Sequence, residues 1–241
     1  MKIYSKTDIG KVRSSNQDSY FAGELQNGAV FGIVCDGMGG AKAGNVASET
    51  AVKLISDYVL RSYRDSMDEF EAEKMLRNAI ESANIEIFES ASKDEELKGM
   101  GTTVVVALVQ ENKAVIANVG DSRIYLIGEE ITQITRDHSV VQSRIESGKI
   151  TPEDAKIHPV KNVITRALGV EEKIVVDTSS LELSKGETLL LCTDGLSSYV
   201  DSEEIFKVFK KHNVENVPEE LVKLANKHGG GDNITVVTLT A

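Results

Sequence analysis

Proline is scarce in this sequence, with 3 residues among 241. No stretch rich in proline, serine or glutamine divides the chain, so no linker between domains can be recognised. A chain of this length is long enough to bury a large hydrophobic core. We therefore expect a single domain that spans residues 1–241.

Long apolar runs are also missing. None reaches the roughly 18 residues that a membrane-spanning helix needs. The segment MKIYSKTDIG at the start of the sequence lacks the apolar core of a secretory signal. We therefore expect a cytoplasmic protein that does not associate with a membrane.

Positive charge is outnumbered by negative charge. The chain has 27 Lys and Arg against 38 Asp and Glu, and its net charge at pH 7 is −11. Proteins that bind nucleic acids usually present a basic surface to the phosphates. The acidic balance therefore argues against a nucleic-acid partner.

Cysteine is nearly absent. The 2 cysteines, Cys35 and Cys192, each lie within an apolar run, and we expect both to be buried free thiols. A covalent cysteine nucleophile for phosphate chemistry would need an arginine a few residues further on, and neither cysteine is followed by one. This class of enzyme is therefore excluded.

The most informative stretch that is present covers residues 29–40, AVFGIVCDGMGG. Its apolar, β-branched run predicts a buried strand that ends at Asp36, where Asp-Gly marks a turn. Gly37 has no Cβ, so its carbonyl can approach a ligand closely. A hairpin turn alone would give the same pattern. A nucleotide-binding P-loop would need lysine after the closing glycine, but Asn45 follows Gly44.

The same pattern recurs along the chain. Further aspartates stand beside glycine or asparagine next to apolar runs, namely Asp18, Asp121, Asp194 and Asp232. Strand ends can converge at one edge of a sheet, and converging carboxylates raise each other's pKa unless cations neutralise them. No paired histidine or cysteine accompanies them, so oxygen ligands for Mg²⁺ or Mn²⁺ are favoured over a zinc site.

Periodicity predicts the remaining elements. Residues 43–63 and 69–92 have the apolar spacing of helices, with Asn45 as a candidate cap of the first. Strands over residues 102–109, 113–119, 122–127 and 131–135 are separated by gaps as short as turns, which predicts antiparallel hairpins. Later come strands 174–183, 187–193 and 233–239 and helices 139–147, 202–211 and 218–228, with Ser202 and Asn216 as candidate caps of the last two helices. A further helix is predicted to start at Pro152, with Thr151 as its cap. Helices flanking antiparallel strands indicate a layered α+β sandwich.

These motifs together resemble one family. The segments that carry the resemblance are RSSNQD (13–18), DGMGG (36–40), GMGTT (99–103), GDSR (120–123), residues 137–169, CTDG (192–195) and GDN (231–233). In this order they resemble the bacterial metal-dependent protein serine/threonine phosphatases of the type 2C family, over essentially the full length. The resemblance implies a four-layer αββα sandwich, with two antiparallel sheets between helices and the metal site at one end.

The resemblance also implies a set of metal ligands. Asp36 would bridge two ions, the Gly37 carbonyl would bind one of them, and Asp194 and Asp232 would complete the first site. The ions would be Mn²⁺ or Mg²⁺, and they would activate a water that attacks the phosphate of phosphoserine or phosphothreonine.

Other residues would support this centre. By the same resemblance, Asp18 accepts hydrogen bonds from the waters around the metals, and Asp121 joins Asp194 in a third, weaker site. Arg13 would bind the substrate phosphate, because its planar fork suits a phosphate group. Asn233 would orient the neighbouring carboxylate.

One position departs from the wider family. Animal members carry a histidine two residues after the bridging aspartate, proposed as the general acid, and here that residue is Met38. The general acid is therefore unassigned, although a metal-bound water would serve. Of the four histidines we expect structural or surface roles, and we would test His158, because residues 137–169 resemble a mobile flap subdomain.

The partners implied are phosphorylated proteins and a cognate serine/threonine kinase whose action the enzyme reverses, and we expect a monomer. Two other functions remain open. A non-catalytic regulator would keep the fold and lose the ligands, yet every expected ligand is present. A metal-dependent hydrolase of small phosphate esters would have the same ligands, so substrate assays must separate it from a protein phosphatase.

Overall fold

Two antiparallel sheets pack face to face in the structure, a computed structural model that describes residues 1–40 and 43–241. Within these residues one sheet has five strands, in the order β1 (Lys2–Asp8), β11 (Ile234–Thr240), β10 (Thr188–Cys192), β7 (Arg123–Ile127) and β8 (Ile131–Gln133). The other has six, in the order β2 (Asp18–Glu24), β3 (Val30–Met38), β5 (Val104–Gln110), β6 (Lys113–Val119) and β9 (Asp177–Glu182), with β4 (Gly101–Thr102) paired to the end of β3.

Helices cover the outer faces of both sheets. On the six-stranded sheet lie α1 (Ala43–Ser62) and α2 (Glu69–Lys93), and on the five-stranded sheet lie α5 (Asp194–Ser197), α6 (Ser202–Lys211) and α7 (Val217–Lys227). Two short helices, α3 (Val140–Glu146) and α4 (Pro152–Lys156), belong to the long connection between β8 and β9. The order helix, sheet, sheet, helix is the expected four-layer αββα sandwich.

Strand β3 shows why the central strands read as continuous apolar runs. Val30 and Val34 pack between the sheets against residues of the opposite sheet such as Leu191. Phe31 and Ile33 point the other way and pack beneath α1 and α2. Because both faces of the strand are buried, alternation of polar and apolar residues is lost.

Several predicted boundaries are wrong. Strand β3 continues past Asp36 to Met38, because Gly37 pairs with Thr102 of β4. The strand predicted over residues 102–109 is interrupted at Thr103, and the strand predicted from residue 174 begins at Asp177.

The predicted helix caps are only partly right. Thr151 caps α4 in a capping box, as expected. Asn45 lies inside α1, and α6 is capped by Asp201 and not by Ser202. Asn216 stands at the start of α7, but its side chain makes no capping hydrogen bond.

Two expectations from composition can be compared with the described residues. Cys35 and Cys192 are free and fully buried, as expected. Among residues 1–40 and 43–241, no helix is long and apolar enough to span a membrane.

Candidate metal centre

Four aspartates from distant parts of the chain lie close together at one end of the sandwich. Asp18 and Asp36 stand directly opposite each other on β2 and β3. Asp194 is the first residue of α5, two residues after the end of β10, and its charge acts on the carboxyl group of Asp36. Asp232 precedes β11, the neighbour of β10, and its charge acts on the other three carboxyl groups.

The carboxyl groups of Asp18, Asp36 and Asp194 are largely enclosed by the protein and repel one another, while Asp232 is partly exposed. Burial, followed by the charges of neighbouring aspartates, raises the pKa of Asp36 well above its usual range and raises the pKa of Asp194. Burial likewise raises the pKa of Asp18 to about 7 and that of Asp121 to about 7. The site therefore holds more negative charge than the surrounding protein neutralises.

Oxygen atoms in this site are left without partners. Buried oxygens of two of the carboxylates, Asp18 Oδ1 and Asp194 Oδ1, accept no hydrogen bond. Unsatisfied buried polar atoms are rare in folded proteins and call for a specific explanation. An all-oxygen donor set of this charge fits a hard divalent cation.

As the side chains stand, no three His, Cys, Asp or Glu residues in the described part of the chain are grouped tightly enough to hold an ion. The carboxylates of Asp18, Asp36, Asp194 and Asp232 nevertheless lie near one another, and their side chains would turn inward for all of them to bind ions at this site.

Threonine hydroxyls hold Asp18 in place. The Oγ1 atoms of Thr193 and Thr235 donate to Asp18 Oδ2 at 2.9 and 2.7 Å, and Thr235 Oγ1 also lies 2.8 Å from Thr7 Oγ1. These bonds link the two sheets and leave Oδ1 of Asp18 free. The sequence reasoning did not single out these threonines, although Thr193 immediately precedes Asp194.

Asp36 is fixed through its backbone. Its N–H donates to Thr103 Oγ1 at 3.0 Å, and its carbonyl accepts from Thr102 Oγ1 and from Thr103 N, each at 2.9 Å. Thr103 Oγ1 also lies 2.7 Å from Ser122 Oγ. The motif at residues 99–103 is therefore the support of Asp36, a role that the sequence did not indicate.

Close backbone packing explains two of the glycines that follow aspartates. A Cβ on Gly37 would lie 2.2 Å from the carbonyl oxygen of Gly44 and 2.6 Å from that of Gln17. A Cβ on Gly195 would lie 1.8 Å from the carbonyl oxygen of Asn233. Any side chain would push these segments apart, so glycine is needed at both positions whether or not its carbonyl meets a ligand.

Asn233 connects the centre to the loop that carries Arg13. Its Oδ1 accepts from Gln17 N at 2.8 Å, and its Nδ2 donates to the carbonyls of Ile9 and Ser15 at 2.9 and 3.0 Å. Its backbone N–H donates to Asp232 Oδ1 at 2.9 Å. The contact with the neighbouring carboxylate thus comes from the backbone, while the side chain holds the loop.

Arg13 reaches the centre from that loop. Its Nη2 donates to Asp232 Oδ2 at 2.7 Å, and half of its side-chain surface remains exposed. The hydrogen bond to Asp232 raises the pKa of the guanidinium. Among the described residues, this is the one ion pair formed by the aspartates of the centre.

Asp121 lies on the turn between β6 and β7, beside a cavity of about 630 Å³. Asp121 and Asp194 line one side of this cavity, and residues of α3, α4 and the following loop, including Lys156 and Lys161, line another. The connection over residues 137–169 thus forms one wall of the cavity. Its predicted mobility stays a prediction.

Neither Met38 nor the histidines of the described chain supplies an evident general acid. Met38 is the last residue of β3 and pairs with Gly101. His158 Nε2 lies 2.6 Å from Arg144 Nη1, and its Nδ1 accepts from Val160 N at 3.2 Å. His158 is therefore held within the connection that carries it.

Comparisons with known proteins agree with this architecture. The family model described as Protein phosphatase 2C matches residues 11–225. The Serine/threonine phosphatase stp of Listeria monocytogenes serovar 1/2a is 42% identical over 234 residues, which cover 96% of this chain and 92% of that protein. The chain therefore belongs to the protein phosphatase 2C family, whose members are metal-dependent serine/threonine protein phosphatases.

Solved structures confirm the fold. Serine/threonine phosphatase Stp1 from Staphylococcus aureus superposes with a TM-score of 0.94 at 37% identity, covering 100% of this chain and 94% of that one. The catalytic domain of the serine/threonine protein phosphatase PstP, in complex with 2 manganese ions, gives a TM-score of 0.86 at 33% identity over 98% of this chain and 96% of that one. The expected α+β sandwich of two antiparallel sheets and flanking helices is confirmed.

Proposed function

We propose that the acidic end of the sandwich binds two Mn²⁺ or Mg²⁺ ions, with a third, weaker ion near Asp121, and hydrolyses phosphoserine and phosphothreonine in proteins. The observation that carries the proposal is the set of buried aspartates with raised pKa values and unpartnered oxygens. Such a set stays ionised at neutral pH only when cations neutralise it.

The ligands in this proposal are those suggested by the sequence. The carboxyl group of Asp36 is close enough to those of Asp18, Asp121, Asp194 and Asp232 for their charges to act on it. It would bridge two ions, with the Gly37 carbonyl, Asp194 and Asp232 as further ligands. When bound, the ions would supply a hydroxide nucleophile at neutral pH and stabilise charge on the phosphoryl oxygens. Asp18, held by two threonines, would orient ordered waters through its free Oδ1.

Arg13 would bind the substrate phosphate. Its guanidinium is paired with Asp232 and half exposed. A cation bound to Asp232 would weaken this pair and leave the planar fork free to bind two phosphate oxygens. The loop is anchored by Asn233, so Arg13 would remain beside the centre during this exchange.

Phosphoproteins are the substrates that family membership indicates, and we propose that a cognate serine/threonine kinase produces them. The cavity beside Asp121 and Asp194 is open to the surface and would accommodate residues next to the phosphorylated side chain. We also propose that the enzyme acts as a cytoplasmic monomer, which light scattering at assay concentration would check.

A substrate panel tests the proposal. Peptides with phosphoserine, phosphothreonine or phosphotyrosine, and nucleotides, would be assayed with Mn²⁺, with Mg²⁺ and with excess chelator. We expect the serine and threonine peptides to be hydrolysed only with metal. Asp65→Asn, at an exposed aspartate, is the matched control for substitutions in the centre.

Two results would contradict the proposal. Full turnover in excess chelator would exclude metal dependence, and preference for nucleotides or other small esters over phosphopeptides would favour a small-molecule hydrolase.

A further inference from the structure

The turn that carries Asp121 is held from behind by one buried histidine. His138 is 6% exposed, and its backbone N–H donates to the Gly120 carbonyl at 2.9 Å. In return, the Gly120 N–H donates to His138 Nδ1 at 3.0 Å. The residue that precedes Asp121 is thus bound to His138 at both its N–H and its carbonyl.

These contacts determine the tautomer of His138. Nδ1 accepts a hydrogen bond and carries no proton, so the proton lies on Nε2, which donates to Asp177 Oδ2 at 3.1 Å. Arg166 Nη1 lies 3.0 Å from Nε2 and donates to Asp177 Oδ1 at 2.6 Å and to the Val175 carbonyl at 3.0 Å. Burial lowers the pKa of His138, in keeping with a neutral ring.

The opposite side of the turn is equally constrained. Gly120 has a φ of +107°, and a Cβ there would lie 2.6 Å from Thr103 Cγ2. Thr103 in turn accepts from Asp36 N and contacts Ser122 Oγ. The turn is therefore wedged between Thr103, which also supports Asp36, and His138.

His138 also stands where the connection over residues 137–169 leaves the sheet. Its carbonyl accepts from Thr165 N at 2.8 Å, and the next residue, Ser139, forms an isolated bridge with Ile164. One residue thus holds both the Asp121 turn and the two ends of this connection.

We propose that His138 is a positioning residue for the third ion: it fixes the backbone from which the Asp121 carboxylate reaches toward Asp194. The inference rests on the proposed function, because it takes Asp121 as a ligand. The partner that orients a ligand typically changes metal affinity by about 10- to 100-fold when it is removed.

Variants of His138 separate positioning from mere bulk. His138→Asn places an amide oxygen where Nδ1 lies and keeps an acceptor for the Gly120 N–H, whereas His138→Leu fills the space without one. His212→Asn, at the end of α6, is the matched control. Calorimetric titration with Mn²⁺ measures the tight and weak sites, and Asp121→Ala identifies the weak one.

We expect His138→Leu to weaken the weak site by about 10-fold or more and to leave the tight pair unchanged. His138→Asn should recover most of the lost affinity. Equal weak-site affinity in the wild type and in His138→Leu would overturn the inference. A wild type with two tight ions and no weak site would also overturn it, together with the proposed third ion, while leaving the two-ion centre and its phosphatase activity intact. A wild type that binds no Mn²⁺ would overturn both the inference and the proposed function.

Two readouts need no metal. In the wild type, ¹⁵N spectra should show a neutral His138 with its proton on Nε2, and hydrogen exchange of the Gly120 amide should be slow. Exchange should be about tenfold faster in His138→Leu and little changed in His138→Asn. If His138→Leu does not fold, the tautomer remains decisive: a proton on Nδ1 would overturn the inference.

Discussion

Asp137 lines the same cavity as Asp121 and Asp194 of the metal centre, but the chain neutralises the charge of Asp137 and leaves that of the metal centre largely uncompensated. Asp137 receives hydrogen bonds from Arg123, with Nε at 3.0 and 3.1 Å and Nη2 at 2.7 Å, and another from Gln133 Nε2 at 3.0 Å. Arg123 Nη1 also donates to Tyr125 Oη at 3.0 Å. The chain thus supplies both the cation and the hydrogen-bond donors that Asp137 needs, and Tyr125 accepts a hydrogen bond from the same arginine.

The metal centre lacks such compensation. Asp18, Asp36 and Asp194 face one another, and oxygens of Asp18 and Asp194 have no partner. Among the described residues, only Asp232 is paired with a cation, Arg13. We infer that aspartates with a structural role, such as Asp137, are neutralised by the chain itself, whereas aspartates that bind metal are left for an external cation to neutralise. This difference predicts opposite stability effects for substitutions in the two groups.

The largest effect is expected at Asp36. Asp36→Asn removes the carboxylate that lies among all the others, so we expect phosphopeptide turnover with Mn²⁺ to fall about 1,000-fold, a loss of several kcal/mol of transition-state stabilisation. In chelator the same variant should be more stable than the wild type by about 1 kcal/mol, because repulsion is relieved. Steady-state assays and thermal unfolding measure the two effects.

The two measurements on Asp36→Asn must move in opposite directions for the comparison to hold. A variant that loses both activity and metal-free stability would show that Asp36 serves the fold as Asp137 does. The exposed control Asp65→Asn should change neither quantity.

The next largest effect is expected at the compensated group. Arg123→Met leaves Asp137 buried without its cation and should lower the free energy of unfolding by about 3 kcal/mol. Arg136→Met, which breaks the exposed pair with Glu146, should change it by less than about 1 kcal/mol. Urea unfolding of both variants in chelator makes the comparison, and equal effects would contradict it.

Local sequence indicated which acids to consider as ligands, and the structure brings Asp18, Asp36, Asp194 and Asp232 together. Asp36, Asp194 and Asp232 stand beside glycine or asparagine next to an apolar run, and Asp18 lies two residues after Asn16, so the signal lies within about ten residues of chain. Their roles as metal ligands stay a prediction. The layered sandwich could also be predicted, because helical periodicity and short strand connections are local patterns.

The supports of the centre could not be predicted in this way. Asp18 is held by Thr193 and Thr235, which lie 175 and 217 residues further along the chain. The end of β3 is unpredictable for the same reason, since pairing of Gly37 with distant Thr102 overrides the local turn signal. Hydrogen bonds between distant residues leave no periodic pattern, and only the folded chain reveals them.

A smaller effect is expected from pH. In the metal-free protein the pKa values of Asp18 and Asp121 are about 7, against the ordinary 3.8, so the folded state binds more protons than the unfolded state between these values. The stability they contribute is complete below about pH 4 and is lost as pH rises toward 7. We expect Tm in chelator to fall by about 5 °C between pH 5 and 7.5.

Two comparisons sharpen the pH prediction. Asp18→Asn should flatten the dependence of Tm on pH, because one of the titrating groups is gone. Added Mn²⁺ should reverse it, since ions bind the deprotonated carboxylates and binding releases protons. If Tm in chelator depends on pH in the same way for the wild type and for Asp18→Asn, then Asp18 does not titrate in this range and its charge is compensated.

The smallest effect is expected at Arg13, which among residues 1–40 and 43–241 is the one cation paired with an aspartate of the centre. Arg13→Ala should raise KM for a phosphoserine peptide by about 10-fold, since it removes a charged hydrogen bond to phosphate. Mn²⁺ should still bind, with equal or higher affinity, because Arg13 no longer competes for Asp232. Lys11→Ala, on the same loop, is the control. Unchanged KM would contradict the phosphate role. If Mn²⁺ binding tightened while KM stayed constant, Arg13 would act only as the internal counter-ion of Asp232. Asp232 would then belong with Asp137 among the aspartates that the chain neutralises itself.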